Sequence, residues 1–247
     1  MKYYSLNNDF SSVERRIGGN KLAENYLIKA KLITNFISQF PYIRCVLISG
    51  SLSKNYMDKN SDIDYFIITA PNRLWIARLF FILTQKIIFF NNTKYLCFNY
   101  MIDTNAIELK DKSLFTATEI ATVIPMYGGK YYLKFLRENQ WIRQHYPNYP
   151  VHDVGNIPEN NSWIKRLIEK CLNNQLGEWL DIYLMKTTEK RWQKNHEAKM
   201  FGKQGENLLI NRHVAKAHFG GNFERILNLY EQKLKDFENK FGINLNE

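Results

Sequence analysis

Gly50-Ser51, ten intervening residues, then Asp62-Ile63-Asp64 bring together the residue types with the clearest chemical purpose in this chain. Glycine lets the backbone turn sharply and come close to a ligand. Ser51 offers a hydroxyl and a backbone N–H, both suited to a phosphate oxygen. Asp62 and Asp64 are two positions apart, so on a strand they project from one face. Paired carboxylates repel and raise each other's pKa unless a cation lies between them. Two hard oxygen ligands that leave room for water and substrate phosphates describe a Mg²⁺ site, with Mn²⁺ as the alternative ion. A competing reading ends a turn at Ser61-Asp62 and leaves Asp64 merely exposed. The apolar neighbours Ile63, Phe66, Ile67 and Ile68 favour a strand packed in a core. Lys54, three residues past the turn, is placed to neutralise phosphate charge, or else is an exposed loop lysine.

These residues need elements to hold them, and the first hundred residues alternate helix and strand patterns. Lys21 to Phe40 repeats apolar residues at helical spacing and stops at Pro41. Arg44 to Ser49 reads as a buried strand running into Gly50. Asp62 to Thr69 reads as a second strand and Tyr95 to Ile102 as a third. Leu74 to Phe90 is the most apolar stretch. Arg78, Thr84, Gln85 and Lys86 interrupt it, so it reads as a helix covering a sheet and not as a membrane span. Beyond Lys112 the pattern turns predominantly helical, with helices expected from Ser113 to Glu119, Lys130 to Tyr146, Ser162 to Thr188 and Asn222 to Phe241. Residues 147–161 read as a loop. Two domains follow: an α/β domain over 1–112 and a helical domain over 113–247.

The pattern Gly50-Ser51, about ten residues, then Asp62-x-Asp64 on a strand resembles the signature of the DNA polymerase β-like nucleotidyltransferase superfamily. The runs CFNYMIDTNAIEL, LFTATEIATVIPMYGG, FLRENQWIRQHYPN and KAHFGGNFERIL resemble a bacterial group of nucleotidyltransferase-domain proteins. The fold implied is α+β: a small mixed β-sheet of nucleotidyltransferase type flanked by helices, followed by a mainly helical C-terminal domain. By the same resemblance, Gly50 and Ser51 hold the terminal phosphates of an NTP, and Asp62 and Asp64 bind Mg²⁺ or Mn²⁺. An acceptor hydroxyl or phosphate attacks the α-phosphorus and pyrophosphate leaves. The superfamily usually carries a third carboxylate on a later strand. The position expected for it holds Asn99, which offers a carbonyl oxygen but no base at neutral pH. Asp103, four residues on, is the substitute if the strand extends that far. Asn99 leaves a second reading open, a nucleotide- or partner-binding module with weak or no catalysis.

Composition narrows the partners. Thirty-four basic and 24 acidic residues give +10, which fits an anionic ligand. The excess is spread, with 15 basic and 9 acidic residues in 1–112 and 19 and 15 in the rest. No basic arm stands out, so NTP with a small-molecule or protein acceptor is expected ahead of nucleic acid. Three distant cysteines and no CxxC pair exclude a disulfide scaffold or cysteine zinc knuckle. MKYYSLNNDF lacks the apolar core of a signal peptide, and a cytoplasmic protein is expected. Glu119 is a candidate acid or base in the cleft, with a capping or solvent role as the alternative. Lys216 and His218, beside Gly220-Gly221, are candidates for contacting the acceptor or the nucleotide.

Overall fold

The computed structural model describes residues 10–159, 162–200, 207–218 and 222–244. The elements run α1 (Ser11–Ile37), β1 (Ile43–Ile48), α2 (Gly50–Ser53), β2 (Asp64–Thr69), α3 (Leu74–Ile87) and β3 (Cys97–Asp103). There follow α4 (Leu114–Thr122), β4 (Ile124–Tyr127), α5 (Gly129–Glu138), α6 (Trp163–Leu172), α7 (Gln175–Met200), β5 (Asn207–Asn211), β6 (Val214–His218) and α8 (Asn222–Phe241). The fold is α+β. A six-stranded mixed sheet has the order β4-β1-β2-β3-β6-β5. Only β2 and β3 run parallel, because the α3 crossover joins them; the other pairs are antiparallel.

The continuous apolar runs of β1 and β2 are explained by burial on both faces of the sheet. Val46, Ile48, Tyr65, Ile67 and Met101 pack under α1, α3 and Trp192 of α7. Cys45, Leu47, Phe66, Ile68 and Ile102 pack under α4 and α5, against Ala117, Ile120, Tyr132 and Phe135. The apolar stretch from Leu74 is α3, with Leu74 to Arg78, Phe81 and Thr84 buried. No described helix is long and apolar enough to cross a membrane.

The expected helix from Ser162 to Thr188 is two helices. The chain breaks at Asn173-Asn174, where the Asn174 side chain accepts from the Gly177 N–H at 3.1 Å. A larger correction concerns the second half. β4, β5 and β6 all lie beyond Lys112 and supply half of the strands. The sheet therefore spans the cut placed at Lys112, and the part beyond it is not a separate helical body. These strands escape a periodicity reading because they are short, and β4 carries Pro125 on the sheet edge, the one place a strand tolerates it.

α7 is fastened to the sheet through α3. The buried Asp181 carboxylate accepts from the backbone N–H groups of Trp75 and Ile76, both at 2.9 Å, and so caps the first turn of α3 from another helix. Burial pushes this carboxyl up to about 6 despite those two hydrogen bonds. Asp181→Ala leaves two buried donors unmet and is expected to cost about 2–4 kcal/mol. Asp181→Asn keeps an acceptor oxygen and is expected to cost under half as much. Chemical denaturation of both variants checks this, and equal losses would refute the capping role.

Candidate functional site

At the end of β1 the backbone reverses through Ser49 and Gly50 into the single turn of α2. Gly50 has φ +64°, a conformation that penalises any residue with a Cβ. A second reason also requires glycine. A Cβ built there would stand 2.3 Å from Asp64 Oδ2, so the Asp64 carboxylate lies directly against the bare Cα. The Ser49 N–H donates to the Asp64 carbonyl at 3.0 Å and holds the two backbones together at this point.

Asp64 opens β2 on the face shared with Phe66 and Ile68, beneath α4. Burial pushes its carboxyl up to about 6, and the charges of Glu119 and Asp62 push the same way. A hydrogen bond from the Cys97 thiol and the Lys54 ammonium oppose them. Asp62 precedes the strand and is half-buried. Its neighbour Ile63 is tied on both sides to the 93–97 segment, donating to Lys94 and accepting from Cys97. Thr93 Oγ1 donates to Asp62 Oδ2 at 3.4 Å. The Asp62 charge acts on Asp64, but β2 begins only at Asp64, so the two do not share a strand face as their spacing predicts.

Glu119 of α4 completes the cluster. Its Oε2 accepts from the Gly50 N–H at 3.2 Å, and its Oε1 pairs with Lys54 Nζ at 2.8 Å. Lys54 Nζ also donates to the Gly50 carbonyl at 3.0 Å. An anion therefore sits on the donors of the Gly50 turn, and here that anion is the Glu119 carboxylate. The alternative of a solvent role for Glu119 is set aside, and Lys54 is an ion-paired residue of the site instead of a free loop lysine. Ser51 lies exposed at the mouth of the turn.

The two candidates for the third carboxylate divide. Asn99 lies on β3, but its side chain is outside the described residues. β3 carries an extra residue at this point, since Asp64 faces Cys97 while Phe66 faces Tyr100. Asp103 is corrected outright. It lies opposite Thr69 at the far end of the parallel pair, five residues from the level of Asp64, or roughly 16 Å at 3.3 Å per residue. It is fully buried, and its oxygens accept from the Asn72 and Asn105 N–H groups and meet His213 Nδ1 at 2.8 Å. Asp103 fixes turns at that end and takes no part in the Asp62–Asp64 cluster. Lys216, on β6, stands over the Tyr100 ring with Asp111 at 3.9 Å. Gly220 and Gly221 lie outside the described residues, as does the His218 side chain.

Among the described residues no group of three or more His, Cys, Asp or Glu is arranged to hold a metal ion. Asp62 and Asp64 are two hard oxygen donors of the kind that a cation keeping water and phosphate oxygens would take. Asp64 is half-buried, and the charges of Glu119 and Asp62 act on it against one ammonium, that of Lys54. A cleft of about 520 Å³ opens on the other side of α2, between α4 and residues 145–152. Ser53, Thr118, Thr122, His145, Tyr146 and Tyr149 line it, while the carboxylates do not. Ser53 joins it to the Gly50 turn, donating to the Gly50 carbonyl at 2.9 Å with Thr122 Oγ1 at 3.5 Å.

Comparison of the chain with family models, with curated proteins and with solved structures gives no match. The chemistry open to the Gly50 turn is set by its own groups, and Asp64 gives the most direct check. Its folded pKa lies above the ordinary carboxylate value, so the folded state prefers it protonated. That contribution is complete below about pH 4 and is lost as pH rises through about 6. Without divalent metal, Asp64→Asn is expected to be more stable than the wild type at pH 7.5, by roughly 1–3 kcal/mol. The gain should vanish at pH 4. Melting curves at both pH values test this, and a variant less stable than wild type at pH 7.5 would contradict it.

Proposed function

We propose that this chain is a Mg²⁺-dependent nucleotidyltransferase that moves an NMP from an NTP to an acceptor and releases pyrophosphate. The observation that carries the proposal is the Asp64 carboxylate, half-buried against the Gly50 Cα where β1 turns into α2 and under the charges of Asp62 and Glu119. A structural role gives no reason to gather three carboxylates beside one ammonium, whereas a polyphosphate and its cation do. Asp62 and Asp64 would hold Mg²⁺ or Mn²⁺, and the ion supplies charge neutralisation at the triphosphate and its leaving group.

The chain's own groups supply the rest. The terminal phosphates would take the Gly50 N–H, Lys54 and Ser51, displacing Glu119 from donors it now holds. Glu119 would then stand free beside Asp62 and Asp64 as the third carboxylate that β3 does not provide, placed to accept a proton from an attacking hydroxyl. The cleft beside Ser53 has the volume of a small-molecule site and would seat the acceptor. These features favour a small acceptor over a long nucleic acid. The second reading, a nucleotide-binding module without efficient transfer, is favoured by Asn99 on β3 and by the distance of Asp103 from the cluster.

Incubation with each NTP labelled at the α-phosphate, with Mg²⁺ and pools of candidate acceptors, tests the choice. Transfer of label with equimolar pyrophosphate is expected. The double variant Asp62→Asn/Asp64→Asn should lose at least 10³-fold in rate while keeping its circular dichroism spectrum. Mg²⁺-dependent NTP binding without turnover would instead support the binding module. Unchanged turnover in the double variant would overturn the site.

A further inference from the structure

α8 belongs to neither core cluster, and among the described residues it makes no extended packing against another element. Its sequence is nevertheless strongly patterned. Leu227, Tyr230, Leu234, Phe237 and Phe241 follow one another at spacings of three and four residues, which is the a/d repeat of a coiled coil. The stripe is only partly covered within the monomer: Tyr230 is 47% exposed and Phe241 51%, while Leu227, Leu234 and Phe237 are half-buried. The Phe237 and Phe241 rings touch at 4.6 Å and form a continuous apolar end to the seam.

The flanking charges identify what covers the stripe. With Leu227 at a, the e positions carry Glu231 and Glu238 and the g positions carry Lys233 and Lys240. In a parallel pair, each g residue meets the e residue of the partner's next heptad, so Lys233 would lie beside Glu238 of the partner subunit. In an antiparallel pair like flanks meet, lysine against lysine and glutamate against glutamate. A helix with one basic and one acidic flank is complementary to a parallel copy of itself. We propose that α8 is a homodimerisation element, which pairs in parallel with α8 of a second copy through the Leu227–Phe241 seam. The seam spans about two heptads, or roughly 21 Å at 1.5 Å per residue, so the association is concentration-dependent and needs the rest of the chain to hold the helix.

Sedimentation equilibrium of the full chain tests this. At about 50 µM, where mass action favours association, the mass should approach twice the 29.4 kDa of the monomer. Leu234→Asp should restore the monomer mass, with the melting temperature that the wild type shows when dilute enough to be monomeric. Lys233→Glu alone and Glu238→Lys alone should each weaken association roughly fivefold or more, and the double exchange should recover it. A Leu227→Cys variant in a Cys171→Ser background should form a disulfide between copies, because residue 227, at one end of the seam, meets its own copy only in the parallel arrangement. Three results would overturn the proposal: a wild-type monomer at every concentration, a dimer that survives Leu234→Asp, or a drop in melting temperature with Leu234→Asp in a monomeric protein. The last would show α8 seated on its own chain.

Discussion

The carboxylate of Asp64 rests on the Cα of Gly50, and much of the site is arranged around that contact. Burial makes the charged form of a carboxylate costly unless a cation or donors compensate it. Here the compensation is partial: one thiol, one ammonium and, against them, two more carboxylates. A fold optimised for stability alone would replace Asp64 with an apolar or amide side chain. The sheet instead closes around it, with β1 and β2 joined through the Ser49 N–H and α4 laid across the same end. Stability given up at one point in exchange for a poised charge is what a functional site requires.

The two layers of helices have different tasks in this arrangement. α1, α3 and α7 cover one face, and the Asp181 cap ties α7 to the first turn of α3. α4 and α5 cover the other face and bring Glu119 to the Gly50 turn. The carboxylate on those donors acts as an internal stand-in for an anionic ligand. It keeps the Gly50 N–H and the Lys54 ammonium paired, and a rotation of the Glu119 side chain alone, with α4 still packed on the sheet, would release both. The neighbouring cleft is apolar at its aromatic rim and hydroxyl-bearing near α2, and it shares Ser53 with the turn. A ligand seated there would sit one residue from Lys54.

Much of the sheet was legible because its strands are buried on both faces. Arg44 to Ser49 and Asp62 to Thr69 are runs that only a covered strand explains, and they correspond to β1 and β2 within two residues. Of the motif residues, Gly50 and Asp64 are in contact, while Asp62 stands before β2 and is held by Thr93. Two features lay beyond the sequence. β5 and β6 are short strands from the far end of the chain, and no local pattern shows that they join β3. Glu119 reaches Gly50 across 69 residues, a contact that depends on how α4 returns over the sheet. Asp103 was misplaced for a reason the sequence did contain. A strand, a helix and a strand in succession imply a parallel pair, so a partner for an acid at the start of β2 belongs at the start of β3, not at its end.

In the function we propose, Asp64 is a half-buried carboxylate held ready for a divalent cation and its nucleotide. Isothermal titration of Mg²⁺ with each non-hydrolysable NTP, repeated in buffers of different ionisation enthalpy, reads the protons exchanged on binding. Binding should release a fraction of a proton at pH 6 that falls away by pH 8, because the ligand converts Asp64 to its charged form. The release should be absent in Asp64→Asn. Binding with no proton release at pH 6, or a release that persists unchanged in Asp64→Asn, would contradict the account.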